Sequence, residues 1–236
     1  MLVIPALEVE GGRSRVAFWP GASAAAGVPT DRPGLIAERL VNQGAGLLHL
    51  VDFDGAKAGR PANLEAIGEI ASRVAVPLQV AGGLEGGDHI RLAFAAGATR
   101  AVVSMAVADR PELLAECVAV AGDWLAIGLD PRPDRLAAFP WRRPVPPTLA
   151  ALVDELEAQG VGRFVLSHGG ARPDVELLAS LARGGTRGGR EILVAGGVGD
   201  LATIGRLRDA GVAGLILGEP LLSGTLPFAE ARAAAT

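Results

Sequence analysis

The chain has 236 residues, half of them hydrophobic, and a formal net charge of −4, so one α/β barrel of the usual size uses the whole sequence, 1–236, as a single domain with a large aliphatic core. The acidic pI near 5.5 and the lack of any basic cluster larger than Trp141-Arg142-Arg143 exclude a nucleic-acid surface. The single cysteine, Cys117, excludes an internal disulfide, and no apolar run or basic leader marks a membrane span or signal, so a soluble, cytoplasmic monomer is expected.

In chain order, short apolar runs at residues 2–7, 47–51, 77–81, 100–104, 124–129, 163–167, 191–195 and 213–217 alternate with longer stretches of helical periodicity. That rhythm predicts repeated βαβ units around a fully buried parallel sheet. Gly44-Ala45, Gly97-Ala98, Gly160-Val161 and Gly211-Val212 fall where a left-handed cap releases a helix into the next strand. Val80-Ala81-Gly82-Gly83-Leu84 returns as Val194-Ala195-Gly196-Gly197-Val198, at a constant offset of 114 residues (82 to 196) that also pairs Ser104 with Gly218. Such a repeat divides the chain into half-barrels of about 1–121 and 122–236. Four βα units taken twice close naturally into a (β/α)8 TIM barrel, with an open doubly wound sheet as the competing architecture.

The working face of such a barrel is the C-terminal ends of its strands. A Gly-Gly placed there bares successive backbone N–H groups, which suits an anion; it also makes a tight turn. Gly82-Gly83 with Ser104, and Gly196-Gly197 with Gly218, are therefore candidate phosphate seats on opposite sides of the mouth, with Gly170 joining the second. A small-molecule substrate with two distant phosphates would span them.

Glu8 and Asp130 form a symmetric pair of carboxylates after strands one and five, placed for proton transfer at two substrate positions; a salt bridge or a helix cap is the alternative use. Of Asp52 and Asp54, one is expected to touch ligand, taken as Asp52, and the other to cap a turn. Ser167 and His168 follow strand six, where an imidazole can exchange a proton near neutral pH, and Trp141 can cover a flat substrate or pack as a lid. His49, among leucines, reads as a structural histidine, and three scattered histidines give no metal-ligand spacing.

These residues carry a resemblance. Ile4-Pro5-Ala6-Leu7-Glu8, His49 through Gly59 in His-Leu-Val-Asp-Phe-Asp-Gly-Ala-Lys-Ala-Gly, and both Gly-Gly corners resemble the HisA/HisF barrels of histidine biosynthesis, closest to the HisA branch. The resemblance implies an Amadori-type aldose–ketose isomerisation of phosphoribosylformimino-AICAR ribotide (ProFAR), a bisphosphorylated aminoimidazole carboxamide ribotide, with no metal or organic cofactor. It also implies that Asp130 keeps the family's strand-five aspartate and that Trp141 matches a tryptophan of the substrate loop. The chain departs from the pattern at Glu8, where the family has an aspartate, and at Glu85, where it usually has an arginine. Met105, Glu219 and Pro220 alter the segments beside the two seats. After strand six a Thr-Asp stretch running into Asp-Gly-Thr is replaced by the shorter Ser167-His168-Gly169-Gly170-Ala171-Arg172, which leaves His168 as the stand-in for the second acid and Ser167 for the threonine. The alternatives are a divergent barrel that binds a phosphorylated metabolite or a protein partner without this activity, and isomerisation of a related phosphoribosyl substrate.

Overall fold

The structure is a computed structural model that describes residues 1–16, 30–144, 148–185 and 190–236. Strands β1 (Leu2–Glu10), β3 (Leu48–Asp52), β4 (Leu78–Ala81), β5 (Arg100–Val103), β6 (Leu125–Leu129), β7 (Arg163–Ser167), β8 (Glu191–Ala195) and β9 (Gly214–Leu217) pair in parallel in that order. Pairing of β1 with β9, Leu2 opposite Gly214 through Pro5 opposite Leu217, closes the barrel and removes every free edge from it. The open-sheet alternative is thereby set aside.

Among the described residues, eight longer helices pack around the strands: α1 (Pro33–Asn42), α3 (Leu64–Arg73), α4 (Gly87–Ala95), α6 (Pro111–Ala121), α8 (Leu149–Ala158), α9 (Val175–Arg183), α10 (Leu201–Asp209) and α12 (Phe228–Ala234). Four short ones, α2 (Phe53–Ala58), α5 (Met105–Ala108), α7 (Pro133–Ala138) and α11 (Glu219–Leu222), follow β3, β5, β6 and β9 directly at the mouth. The offset read in the sequence recurs here: α4 and α10, β5 and β9, and α5 and α11 are matched pairs of equal length whose first residues stand 114 apart (87 to 201, 100 to 214, 105 to 219). No helix among the described residues is long and apolar enough to cross a membrane.

Two apolar layers follow from strand alternation. Outward residues such as Leu7, Leu50, Val80 and Ile127 join the helices in one large core. Inward residues Ile4, Ala6, Val102, Ala126, Val165, Leu193 and Ile216 fill the barrel itself. Toward the N-terminal ends the filling turns polar. Arg163 grips Glu191 across β7 and β8 (2.6 and 2.8 Å), and Arg100 donates to the Gln79 side-chain oxygen at 3.0 Å.

The first strand runs longer than the sequence reading placed it. Gly11 and Gly12, at φ 56° and 75°, turn the chain into β2 (Arg13–Ser14), an antiparallel hairpin with Val9 opposite Ser14. Glu8 is consequently part of the barrel wall, not the first residue beyond it.

Candidate active site

Among the described residues, two cavities open at the C-terminal ends of the strands, one of about 960 Å³ and one of about 500 Å³, and they meet at Gly128 and Ser167. Inward parity selects what faces them. Glu8, two residues after Ala6, lines the larger chamber; Asp130, two after Gly128, and Ser104, two after Val102, line the smaller. Gly170, Gly196, Gly197 and Gly218 all line the larger one.

Both carboxylates are held by arginines close in sequence. Glu8 Oε2 accepts from Arg15 Nη1 at 2.9 Å, while the Arg15 guanidinium lies 3.6 Å from the centroid of the Phe53 ring and its Nε is 3.4 Å from Glu10. Asp130 receives the Arg132 amide (3.1 Å) and Nε (2.8 Å) on Oδ1, and Arg132 Nη2 on Oδ2. This fork holds the Asp130 carboxyl below the usual range, with Arg135 adding a weaker pull. The hairpin arginine was invisible to motif reading because β2 brings it back; Arg132 stands two residues after Asp130 and was open to recognition.

His49 is more than the structural histidine expected of it. Arg100 fixes the Gln79 amide by taking its oxygen, which turns the Gln79 NH2 toward His49 Nδ1 at 2.9 Å. Nδ1 therefore accepts, and the neutral ring carries its proton on Nε2. Burial first, then Arg100, pushes the imidazole down to about 4, and the ring lines the larger chamber as a fixed donor.

Each Gly-Gly corner is a close backbone crossing. A Cβ on Gly82 would strike the Asp52 carbonyl oxygen and one on Gly83 the Arg60 carbonyl; in the second half, Gly196 and Gly197 meet the carbonyls of Gly169 and Ala171 in the same way. All four glycines have positive φ. The two corners are nevertheless unequal. Gly196 and Gly197 face the larger chamber, whereas Gly82 and Gly83 line neither cavity, and in the first half it is Ser104, Met105 and Ala106 that line the smaller one. Glu85 beside it is paired with Arg110 at 3.8 Å.

Three expected side chains stand elsewhere. Asp52, 1% exposed, is out of parity with the inward Val51 and accepts from Gly55 N, Ala62 N, Asn63 N and Asn63 Nδ2 at 2.6–2.9 Å. With all its acceptor sites committed it caps α2 and touches no ligand, which corrects the contact assigned to it. Asp54 also serves structure, taking Gly11 N at 2.7 Å and Asn63 Nδ2 at 2.9 Å, bonds that lower its pKa. His168, next after the inward Ser167, is 3% exposed and lines neither cavity, its Nε2 buried with no partner among the described residues. That placement, away from both cavities, corrects its reading as the stand-in acid at the mouth; burial also depresses its pKa. Trp141 is likewise no cover for substrate in this structure. Its indole donates to Leu136 O at 3.0 Å and meets Phe139 edge to face at 4.7 Å, so Phe139, Pro140 and Arg135 line the smaller chamber in its place.

The sequence that builds this mouth is similar to those of curated proteins. The family model for histidine biosynthesis proteins matches residues 2–227. A protein of Roseiflexus sp. (strain RS-1), named 1-(5-phosphoribosyl)-5-((5-phosphoribosylamino)methylideneamino)imidazole-4-carboxamide isomerase, is 34% identical over 99% of both chains. Proteins of the same name from Chloroflexus aggregans and Moorella thermoacetica are 35% and 33% identical, covering 100% of this chain and 98% of their own. The chain belongs to the histidine biosynthesis protein family.

Proposed function

We propose that the protein is an aldose–ketose isomerase that converts a bisphosphorylated aminoimidazole carboxamide ribotide, ProFAR, to its ketose by an Amadori rearrangement. The observation that carries this reading is the placement of Glu8 on β1 and Asp130 just past the end of β6, in separate chambers that join at Gly128 and Ser167. A substrate with a phosphate at each end and a reacting sugar in the middle fits that division. The larger chamber offers the backbone of Gly170, Gly196, Gly197 and Gly218 to one phosphate, and Ser104 with its neighbouring amides receives the other.

The chemistry asks little more. Opening of the aminosugar ring gives a protonated imine at C1, and the C2 proton becomes acidic. Glu8 removes it as general base, leaving an enaminol; the same carboxyl returns that proton to C1 while the C2 hydroxyl, becoming a carbonyl, releases its proton to water, which offsets the proton that the ring oxygen takes up from water on opening. The ionised Asp130, held that way by Arg132, stabilises the cationic imine nitrogen. His49 Nε2–H and the Ser167 hydroxyl supply hydrogen bonds to the sugar oxygens on the chamber wall. Arg15 fixes the carboxylate of Glu8, so the extra methylene relative to aspartate reaches a defined position instead of a range of rotamers.

Complementation of a histidine auxotroph that lacks this isomerase tests the reading. Growth supported by the wild-type chain and lost with Glu8→Gln is the expected result; failure of the soluble, folded wild-type chain to support growth would overturn it.

A further inference from the structure

We infer that Arg172 is the residue by which this protein selects a phosphate ester in the larger chamber. The inference rests on the phosphate-spanning reading of the mouth. The chamber holds three carboxylates, Glu8, Asp200 and Glu219, and Arg172 is the sole lysine or arginine among the described residues that line it. Two of the three are already satisfied. Glu8 has Arg15, and Asp200 takes Thr203 N at 2.7 Å and Thr203 Oγ1 at 2.9 Å, which lower its pKa, with a smaller lowering from Arg172 itself. Glu219 has no ion pair or side-chain hydrogen bond among the described residues and sits at the start of α11, where the next residue, Pro220, has no N–H to offer.

A phosphate seated on the Gly196-Gly197 corner therefore meets an uncompensated carboxylate and one amide fewer than a non-proline residue at 220 would supply. Backbone dipoles alone do not offset a like charge at close range. Arg172 does. Its side chain is exposed, it lies in the short loop between β7 and α9 with Gly170, and no hydrogen bond or ion pair engages it among the described residues. The loop's position is itself fixed, because Gly196 and Gly197 pack on the carbonyls of Gly169 and Ala171. A guanidinium whose donors are free of hydrogen bonds among the described residues, held at the rim of an anion-binding corner, presents the planar donor fork that phosphate oxygens accept in pairs.

The test uses the full-length chain with Arg172→Ala, Arg172→Lys and Glu219→Gln. With ProFAR as substrate, Arg172→Ala is expected to raise KM about 10- to 100-fold with kcat within about threefold, the pattern of lost uniform binding. Arg172→Lys recovers part of the loss, because it restores the charge without the fork, and Glu219→Gln lowers KM. An unchanged KM in Arg172→Ala, with thermal unfolding matching wild type, would overturn the assignment. Calorimetric titration with inorganic phosphate separates this inference from the proposed activity. If the wild-type chain does not turn over ProFAR yet binds phosphate at least about tenfold more tightly than Arg172→Ala, the isomerase reading falls and the role of Arg172 stands; equal affinities overturn that role whatever the turnover.

Discussion

Replacing Asp52 with alanine separates a structural carboxylate from a catalytic one. Its two oxygens receive four donors, Gly55 N at 2.8 Å, Ala62 N at 2.6 Å, Asn63 N at 2.9 Å and Asn63 Nδ2 at 2.6 Å, in a site that is 1% exposed. Each buried donor left without a partner costs about 1–3 kcal/mol, and water entering the vacated space recovers part of that, so the expected loss is about 3–6 kcal/mol. That is a large share of the ~5–15 kcal/mol that holds a typical domain folded. The damage spreads through one path: Asn63 also caps Gly12 N at 2.9 Å and Asp54 at 2.9 Å, so the β1–β2 hairpin that carries Arg15 loosens with it. Urea unfolding followed by circular dichroism measures the loss, and steady-state kinetics normalised to the folded fraction measures the activity. A stability loss below about 1 kcal/mol together with a KM raised tenfold or more would refute the reasoning, since it would place Asp52 on the substrate.

Gly197→Ala puts a Cβ at φ 71° and into the Ala171 carbonyl oxygen, and a loss of at least about 2 kcal/mol is expected in denaturant unfolding, whereas Gly199→Ala, with nothing within 4 Å of its Cβ, stays close to wild type. The same stability should depend on pH through His49. Its folded pKa of about 4 lies below the ordinary 6.5 of a free imidazole, so the unfolded chain takes up the proton first; the contribution is complete above pH 6.5 and is lost as pH falls through about 4. For His49 the drop amounts to about 3 kcal/mol; burial also lowers the His168 pKa and adds in the same direction, and His49→Gln should flatten the His49 part in pH-dependent urea midpoints. Trp141→Phe keeps the packing on Phe139 and removes one hydrogen bond to Leu136, so about 1 kcal/mol of stability and little kcat/KM should be lost; a tenfold fall in kcat/KM would return Trp141 to the substrate.

The barrel was legible because its strands are short apolar runs set between turn glycines, and the repeat spacing of 82 to 196 pointed to closure of eight. What sequence alone misplaced at the mouth is chiefly parity. Ser167 and Glu8 share the inward face with Val165 and Ala6, while His168 and Asp52 are one residue out of step and turn toward the outer layer. One residue of register decides between a side chain that lines the chamber and one that serves the fold, and a motif such as Val51-Asp52-Phe53-Asp54 does not state which face is which. Other features depend on chain segments that meet only in three dimensions. The Arg15–Glu8 pair needs the hairpin, and the position of Trp141 needs Asp109, whose buried carboxylate holds the Arg142 amide at 2.8 Å and ties the loop to the end of α5. The inequality of the two Gly-Gly corners, identical in sequence, arises from what packs on them, Asp52 and Arg60 at one and Gly169 and Ala171 at the other.

The most direct test of the account is single-turnover and steady-state kinetics of the purified chain with ProFAR, comparing wild type with Glu8→Gln and Asp130→Asn. Wild-type turnover, a fall in kcat of about 100-fold or more in Glu8→Gln with KM little changed, and a smaller fall in Asp130→Asn are the results expected of a base at C2 and a charge that stabilises the imine. Turnover of Glu8→Gln at the wild-type rate, or no turnover by the folded wild-type chain, would contradict it.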